Sequence, residues 1–396
     1  LYIGVVPINE SDGRIKIKGK GKTVEYALKM KEMPQERIMM KLLEKEKVDK
    51  KLIDKIAKLV ANFHSKAETS DEISEYGSVK IVKFNWDENF DQTKEFVGRT
   101  IEKKQFNNIK RKINAFIEKN KTLFEKRIAA GKIRDCHGDL YSKNIFVAKK
   151  IYIFDCIEFN ERFRYSDVAA EVAFFTMDLD FYGKEDLSNY FIEKYLKYSK
   201  DEEMLKLLTF YKCYRAYVRG KVTSFELDDP SIGKRDKTKA KKLAKRYFDL
   251  ASKYARRLLT QPVLITMCGL TGTGKSFLAD DLEKLTSAKV IRSDVVRKEL
   301  AGIKPTTPRR VEYGKGIYSD EFTERTYAEM LEIAKNSLKA GAPCILDATF
   351  SKKKHRDGVF KIAGSLGIPF LIVECVCPEN IIRRRLVRRV KGVTVS

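Results

Sequence analysis

The residues best able to do chemistry lie in "HGDLYSKNIFVAKKIYIFD", His137 to Asp155. Asp139 follows His137 by two positions, Asn144 follows Asp139 by five, and Asp155 closes the next apolar run. A phosphoryl-transfer centre needs few parts. A carboxylate takes or orients the proton of an attacking hydroxyl, and oxygen ligands hold Mg²⁺ against the phosphates of a nucleotide. Asp139 is the candidate base, and Asn144 and Asp155 are the candidate metal ligands. His137 is read as a buttress of the loop. Two antiparallel strands joined at Lys149-Lys150 would bring Asn144 and Asp155 to the same end of a hairpin. The plain alternative is a hairpin with polar ends, but the spacing is more specific than that alternative requires.

A second stretch, "GLTGTGKS" at 269–276, meets a similar need by other means. It fits G-x-x-x-x-G-K-[ST] and lies between a predicted strand and a predicted helix, the context the motif requires. The expected nucleotide-binding residues are Gly269, Thr271, Gly272, Thr273, Gly274, Lys275, Ser276 and Phe277. Backbone N–H groups of such a loop cradle phosphates. Lys275 neutralises the β and γ groups and Ser276 ligates Mg²⁺. Asp294, in "RSDVVRKE", is expected to bind the substrate or act as general base; the alternative is a cap of the helix 294–301, and both can hold. Asp347 ends the apolar strand "CILD", the place for a carboxylate that supports Mg²⁺ through water. Arg385 and Arg389 stand at i,i+4 and are expected to close a lid over the transferring phosphoryl, the alternative being a solvated face.

These residues need elements to hold them. Residues 1–33 read as strands with glycines at a hairpin turn, and Pro34 ends them. From Gln35 to about Lys66 the apolar residues Ile53, Ile56, Leu59, Val60 and Phe63 fall at helical spacing. Residues 89–130 read as helical, and after Asp167, a predicted helix cap, the chain is helical to about Leu259. Lys212, Arg215 and Arg219 share one helix face, either as an anion clamp or as surface charge. Residues 234–259 form a very basic amphipathic helix with an expected stripe of Leu243, Tyr247, Leu250 and Tyr254, read as a connector packed on one face in preference to a nucleic-acid arm. From Val263 strands and helices alternate, which predicts a parallel α/β sheet. The expected domains are 1–255 and 263–396, joined by a linker at 256–262. No internal repeat is seen.

Composition sets the outer limits. The chain has 396 residues, enough for two or three domains. With 22 glycines and 9 prolines it is not a low-complexity chain. No apolar run is long enough to span a membrane. The seven cysteines are scattered. The Cys375–Cys377 pair alone is a weak metal signal, and reduced thiols in the cytoplasm are expected. The formal charge of +25 has a bland reading, compositional bias or an incomplete chain, and a sharper one, an anionic partner.

The stretch "HGDLYSKNIFV…IYIFDCIEF" resembles the catalytic and metal-binding segments of the aminoglycoside phosphotransferase group, relatives of protein kinases. Gly138 stands where the kinase pattern H-R-D-x-x-x-x-N has Arg, and Asp155-Cys156-Ile157 where it has D-F-G. "SDVAAEVAF" and "YRAYVRGKV" extend the likeness, which covers roughly residues 1–255. It implies a partial kinase-like fold with a helical second lobe. "EYALK" then looks like the strand entering the hinge, with Lys29 not the phosphate-pairing lysine, so the first lobe is expected to be incomplete. Residues 263–396 resemble the small P-loop kinases: gluconate kinase, zeta-toxin-like kinases and the kinase domain of polynucleotide kinase. Their doubly wound parallel fold is expected, truncated inside the lid. The fused order resembles bacterial proteins that join an aminoglycoside-phosphotransferase-like domain to a P-loop ATPase/kinase domain.

The implied activity is an ATP- and Mg²⁺-dependent phosphotransferase with two nucleotide sites and a small hydroxylated metabolite as acceptor. Aminoglycosides are polycations and suit a +25 chain less well. A 5′-hydroxyl polynucleotide kinase and a nucleotide-binding regulator with a degenerate first domain are the alternatives. No membrane partner is expected.

Overall fold

The computed structural model describes residues 1–258, 262–286, 288–303, 316–339 and 341–390, the side chains of 388–390 excepted. In chain order it begins with strands β1 (Tyr2–Ser11), β2 (Arg14–Ile17) and β3 (Lys22–Met30). Helices α1 (Met39–Glu44), α2 (Lys50–Lys66), α3 (Asp71–Glu75), α4 (Val79–Thr93), α5 (Lys103–Lys119) and α6 (Lys121–Ala129) follow. Next come β4 (Ile133–Asp135), β5 (Ile145–Val147), β6 (Ile151–Ile153), α7 (Glu161–Arg164) and β7 (Tyr165–Asp167). Helices α8 (Val168–Phe181), α9 (Glu185–Ser199), α10 (Leu205–Phe225) and α11 (Lys234–Arg257) lead to β8 (Leu264–Cys268) and α12 (Lys275–Thr286). The last elements are β9 (Lys289–Arg292), α13 (Ser293–Leu300), α14 (Asp320–Lys339), β10 (Cys344–Asp347), α15 (Lys353–Leu366), β11 (Phe370–Glu374) and α16 (Glu379–Val390). No helix among the described residues is long and apolar enough to cross a membrane. Residues 259–261 of the expected linker lie outside the described residues.

The chain divides into two compact units, Leu1–Gly77 with Arg127–Ser199, and Ser78–Lys126 with Lys200–Ser396. In the first, β2, β1 and β3 form an antiparallel sheet in that order. Many of its apolar side chains are exposed, Ile3, Val5, Ile15, Ile17 and Tyr26 among them. The expected single helical stretch from Gln35 to Lys66 is broken. Glu46 takes a left-handed φ of 53°, and Lys47 N–H returns to the Leu42 carbonyl at 2.8 Å, which ends α1. Asp49 then starts α2 by accepting from Leu52 N–H at 2.8 Å. α8 is buried from Val168 to Leu179, so it has no polar face, and α9 packs on it and on α2. Asp167 caps α8 as expected, accepting from Ala169 N–H at 2.8 Å. Its carboxylate also accepts two bonds from Arg127, at 2.7 and 2.8 Å.

In the second unit α4, α5, α10 and α11 pack around aromatic pairs, including Trp86 on Phe90 and Phe116 on Phe210. The expected run of helix over 89–130 is three helices, and α4 already starts at Val79. Two other expectations change here. The stripe of α11 is Ala240, Ala244, Tyr247, Phe248, Ala251, Tyr254 and Ala255, with Leu243 and Leu250 only half-buried. The alanines let α10 come close, so the contact rotates toward the small residues. Lys212 and Arg215 are buried rather than surface charges, and Lys212 lies over the Tyr254 ring.

The same unit carries a four-stranded sheet in the order β11-β8-β10-β9, every pair parallel. Its strands are apolar on both faces because helices cover both. Leu264, Ile291 and Leu346 pack with α14 and α15, while Ile265, Met267 and Ile345 pack with Ala279 of α12. This is the doubly wound parallel arrangement expected for residues 263–396.

Candidate active sites

The first site is built on one hairpin and one helix. β5 pairs antiparallel with β6, Ile145 opposite Ile153, and Phe154 N–H donates to the Asn144 carbonyl at 3.1 Å. Asn144 and Asp155 therefore share the open end of the hairpin. Asn144 Nδ2 donates to Asp139 Oδ2 at 2.8 Å and to the Asp139 carbonyl at 3.0 Å. That leaves Asn144 Oδ1 as an acceptor only. Neither it nor the Asp155 carboxylate has a hydrogen-bond donor among the described residues. Asp155 sits at φ 63°, a left-handed conformation that Asp tolerates better than most residues, and its N–H is held by Tyr2 OH at 3.0 Å. Two bare oxygens of this kind fit a hard cation.

His137 is fully engaged. Its Nε2 meets the Phe154 carbonyl at 2.9 Å, which requires N–H there, and Nδ1 accepts from Asp139 N–H at 3.3 Å. It braces the loop and has no nitrogen left for proton transfer. Gly138 has φ 81°, and a Cβ would come within 2.9 Å of the Phe163 carbonyl, so this backbone excludes the arginine of the kinase pattern.

Behind the loop stand two buried carboxylates that sequence reasoning missed. Glu171 accepts from His137 N–H at 3.1 Å and Gly138 N–H at 2.7 Å, and pairs with His64 Nε2 at 2.7 Å. Asp178, seven residues on along α8, accepts from Ser142 N–H at 2.9 Å. Between them Phe174 stacks on Tyr141, with ring centroids 5.2 Å apart. Burial pushes the Glu171 carboxyl up, but His64, His137 and the backbone donors outweigh it and hold it below the usual carboxylate range. The available signal was Glu171 and Asp178 at i,i+7 in a mostly apolar helix whose end also carries Asp180. His64 and Glu171 also converge with Cys136 closely enough to ligate a metal. Both His64 nitrogens already have partners, Glu171 and Tyr195 OH, which makes the group a structural network.

The second site is made of backbone. β8 ends at Cys268, and the loop curls around the Leu270 carbonyl. That carbonyl accepts from Thr273 Oγ1 at 2.9 Å and Lys275 Nζ at 2.7 Å. Among the described residues the amides of Thr271, Gly272 and Gly274 have no hydrogen-bond partner, so the cradle offers orphan donors to an anion. Gly269 has φ 129°, and a Cβ there would lie 2.4 Å from the Cys375 carbonyl, just past the end of β11. Ser276 is exposed at the helix start, and its hydroxyl has no partner among the described residues. Phe277 is 70% exposed, and Thr271 is also exposed.

Asp347, 6% exposed, lies at the end of β10 next to β8, with Arg292 Nε at 3.8 Å. Arg292 also pairs with Asp280. The acceptor-only carboxylate of Asp347 and the hydroxyl of Ser276 are each of the oxygen type that suits Mg²⁺. Asp294 lies in the first turn of α13, where no side chain makes a cap bond, and pairs with Lys298 at 3.0 Å. The capping alternative is thereby set aside, because Arg292 holds the cap position. Arg385 reaches the loop, donating from Nη1 to the Gly272 carbonyl at 3.0 Å. The side chain of Arg389 lies outside the described residues.

Residues 264–394 match the family model described as AAA domain. Over 341 residues the chain is 30% identical to the uncharacterized protein Rv2004c of Mycobacterium tuberculosis, covering 86% of this chain and 67% of the relative. The chain belongs to the family of this mycobacterial protein. The uncharacterized protein Mb2027c of Mycobacterium bovis matches to the same extent. A solved structure named as a "putative kinase" from Chloroflexus aurantiacus is 17% identical, with a TM-score of 0.29, and covers 34% of this chain and 69% of that one. The parallel sheet, the phosphate loop and the family match together identify residues 264–394 as a P-loop nucleotide-binding domain.

Proposed function

We propose that this chain is a Mg²⁺- and ATP-dependent phosphotransferase with two nucleotide sites, acting on the hydroxyl of a small metabolite. The observation that carries the reading is the Asp139–Asn144 bond at the mouth of the hairpin that also carries Asp155. One side-chain amide ties the candidate base to the candidate metal ligands. The order of motifs supports an aminoglycoside-phosphotransferase-like domain over 1–255, a linker at 256–262 and a P-loop kinase domain over 263–396. Seven free cysteines suit a reducing cytoplasm.

In the first site Asn144 Oδ1 and Asp155 would hold Mg²⁺, and Asp139 accepts or orients the proton of the acceptor hydroxyl. In the second, the amides of the loop and Lys275 would hold phosphate oxygens, Ser276 and Asp347 would hold Mg²⁺, and Asp294 would position the second substrate. Bound Mg²⁺-ATP supplies the phosphoryl group and the charge neutralisation that lets it transfer. Arg385 already touches the loop and would deliver positive charge where the transition state spreads negative charge. Preorganised geometry of this kind lowers the barrier by fixing the attacking and leaving oxygens in line.

Radiolabelled ATP incubated with a metabolite extract tests the proposal. Asp139→Asn and Lys275→Ala should each lose a separable product. ATP binding without turnover by the wild type in any acceptor pool would replace this reading with that of a nucleotide-binding regulator. A 5′-hydroxyl polynucleotide acceptor is the second reading, favoured by the +25 charge. Labelling of an oligonucleotide, lost in Asp294→Asn, would select it.

A further inference from the structure

Apart from the residues of both sites, the second unit has a solvent-open cavity of about 390 Å³ where the start of α5 meets α11. That volume suits a sugar-sized metabolite. The walls carry four cations, Arg99 and Lys104 on the α5 side and Lys245 and Arg256 on α11, against two carboxylates, Glu102 and Asp249. Arg99 is already bound by Asp228, at 2.6 and 3.0 Å. Lys104, Lys245 and Arg256 make no ion pair among the described residues.

Two further features point to a ligand. α5 is 17 residues long, its cap residue Glu102 makes no side-chain cap bond, and its first turn contains no acid. It opens on Lys103-Lys104, the wrong sign for the positive end of a helix dipole, and an anion would relieve this. Ser252, only 7% exposed, lines the cavity, and its hydroxyl has no hydrogen-bond partner among the described residues. The carboxylates decide between kinds of anion. Asp249 is oriented by Gln105 Nε2 at 3.0 Å and, like Glu102, can accept from hydroxyl groups. A bare polyanion gains nothing from them, whereas a phosphorylated polyol uses both kinds of wall.

We infer that this cavity binds a phosphorylated, hydroxyl-bearing small molecule, separate from the nucleotide of either site. Its phosphate meets the first turn of α5 with Lys104, Lys245 and Arg256, and its hydroxyls meet Ser252 and the two carboxylates. The test is a titration of the whole chain with glucose 6-phosphate, inorganic phosphate and a single-stranded oligonucleotide. Lys275→Ala serves as the background, so that the P-loop does not answer for the cavity. The expected result is sugar-phosphate binding that beats inorganic phosphate and weakens about tenfold in each of Lys104→Gln and Lys245→Gln. Both lysines are exposed, so the variants keep the fold. No sugar-phosphate binding, binding indifferent to the two substitutions, or stronger binding of the oligonucleotide would each overturn the inference.

Discussion

The two candidate sites are assembled by opposite means. In the first, buried side chains hold the loop. Glu171 and Asp178 project from an apolar helix and take the loop's backbone donors, so Asp139 and Asn144 meet with little freedom. In the second, the backbone itself is the binding group, and glycines let it turn where a side chain would collide. Its charged parts are closed on themselves, Lys275 on Leu270 and Arg385 on Gly272. A site held by buried charge should fail through its supports. A site made of backbone should fail through its glycines.

Substitutions can break this contrast. The largest expected effect is on the first site's chemistry: Asp139→Asn should lower its turnover about 10²–10⁴-fold, measured as its own labelled product, with ADP binding at the P-loop unchanged. Loss of both activities together would show that the sites are not independent. Gly269→Ala comes next. The clash with the Cys375 carbonyl and the backbone strain should destabilise the P-loop sheet by about 3 kcal/mol, read by denaturant unfolding, and abolish nucleotide binding there.

Glu171→Gln sharpens the comparison further. It keeps the shape but weakens the hold on two backbone donors, so about 2 kcal/mol of stability and part of the first site's turnover should be lost. Glu171 titrates below its ordinary range in the folded chain, so its contribution is complete above that range. It disappears as pH falls through the lowered value. The stability gap between wild type and variant should therefore close on acidification, and a gap that widens instead would contradict the buttress role. The smallest effect belongs to Asp294→Asn. Its exposed pair with Lys298 is worth no more than about 0.5 kcal/mol, so melting should barely move while second-site turnover falls.

Legibility differed between the two halves. The alternation of strands and helices from Val263 was legible, because alternating apolar runs and periodic helices are local patterns and the Gly-Lys-Ser loop is contiguous. The hairpin of the first site was equally plain, since its ends are close in sequence. The helical parts were read less well. Lys212 and Arg215 occur at the same spacing that exposed basic residues would show, and only the packing of α10 against its neighbours buries them. α11 turned toward its alanines rather than its leucines for a similar reason, namely that the partner's approach set the contact.

What the amino-acid order determined by itself were the reactive groups and the strands that space them, because those constraints act within a few residues. Tertiary structure alone decided what stands behind them. Glu171 reaches His137 across 34 residues, and the start of α5 meets α11 across more than a hundred. Such pairings depend on which buried surfaces come together, and burial is a property of the whole packed chain.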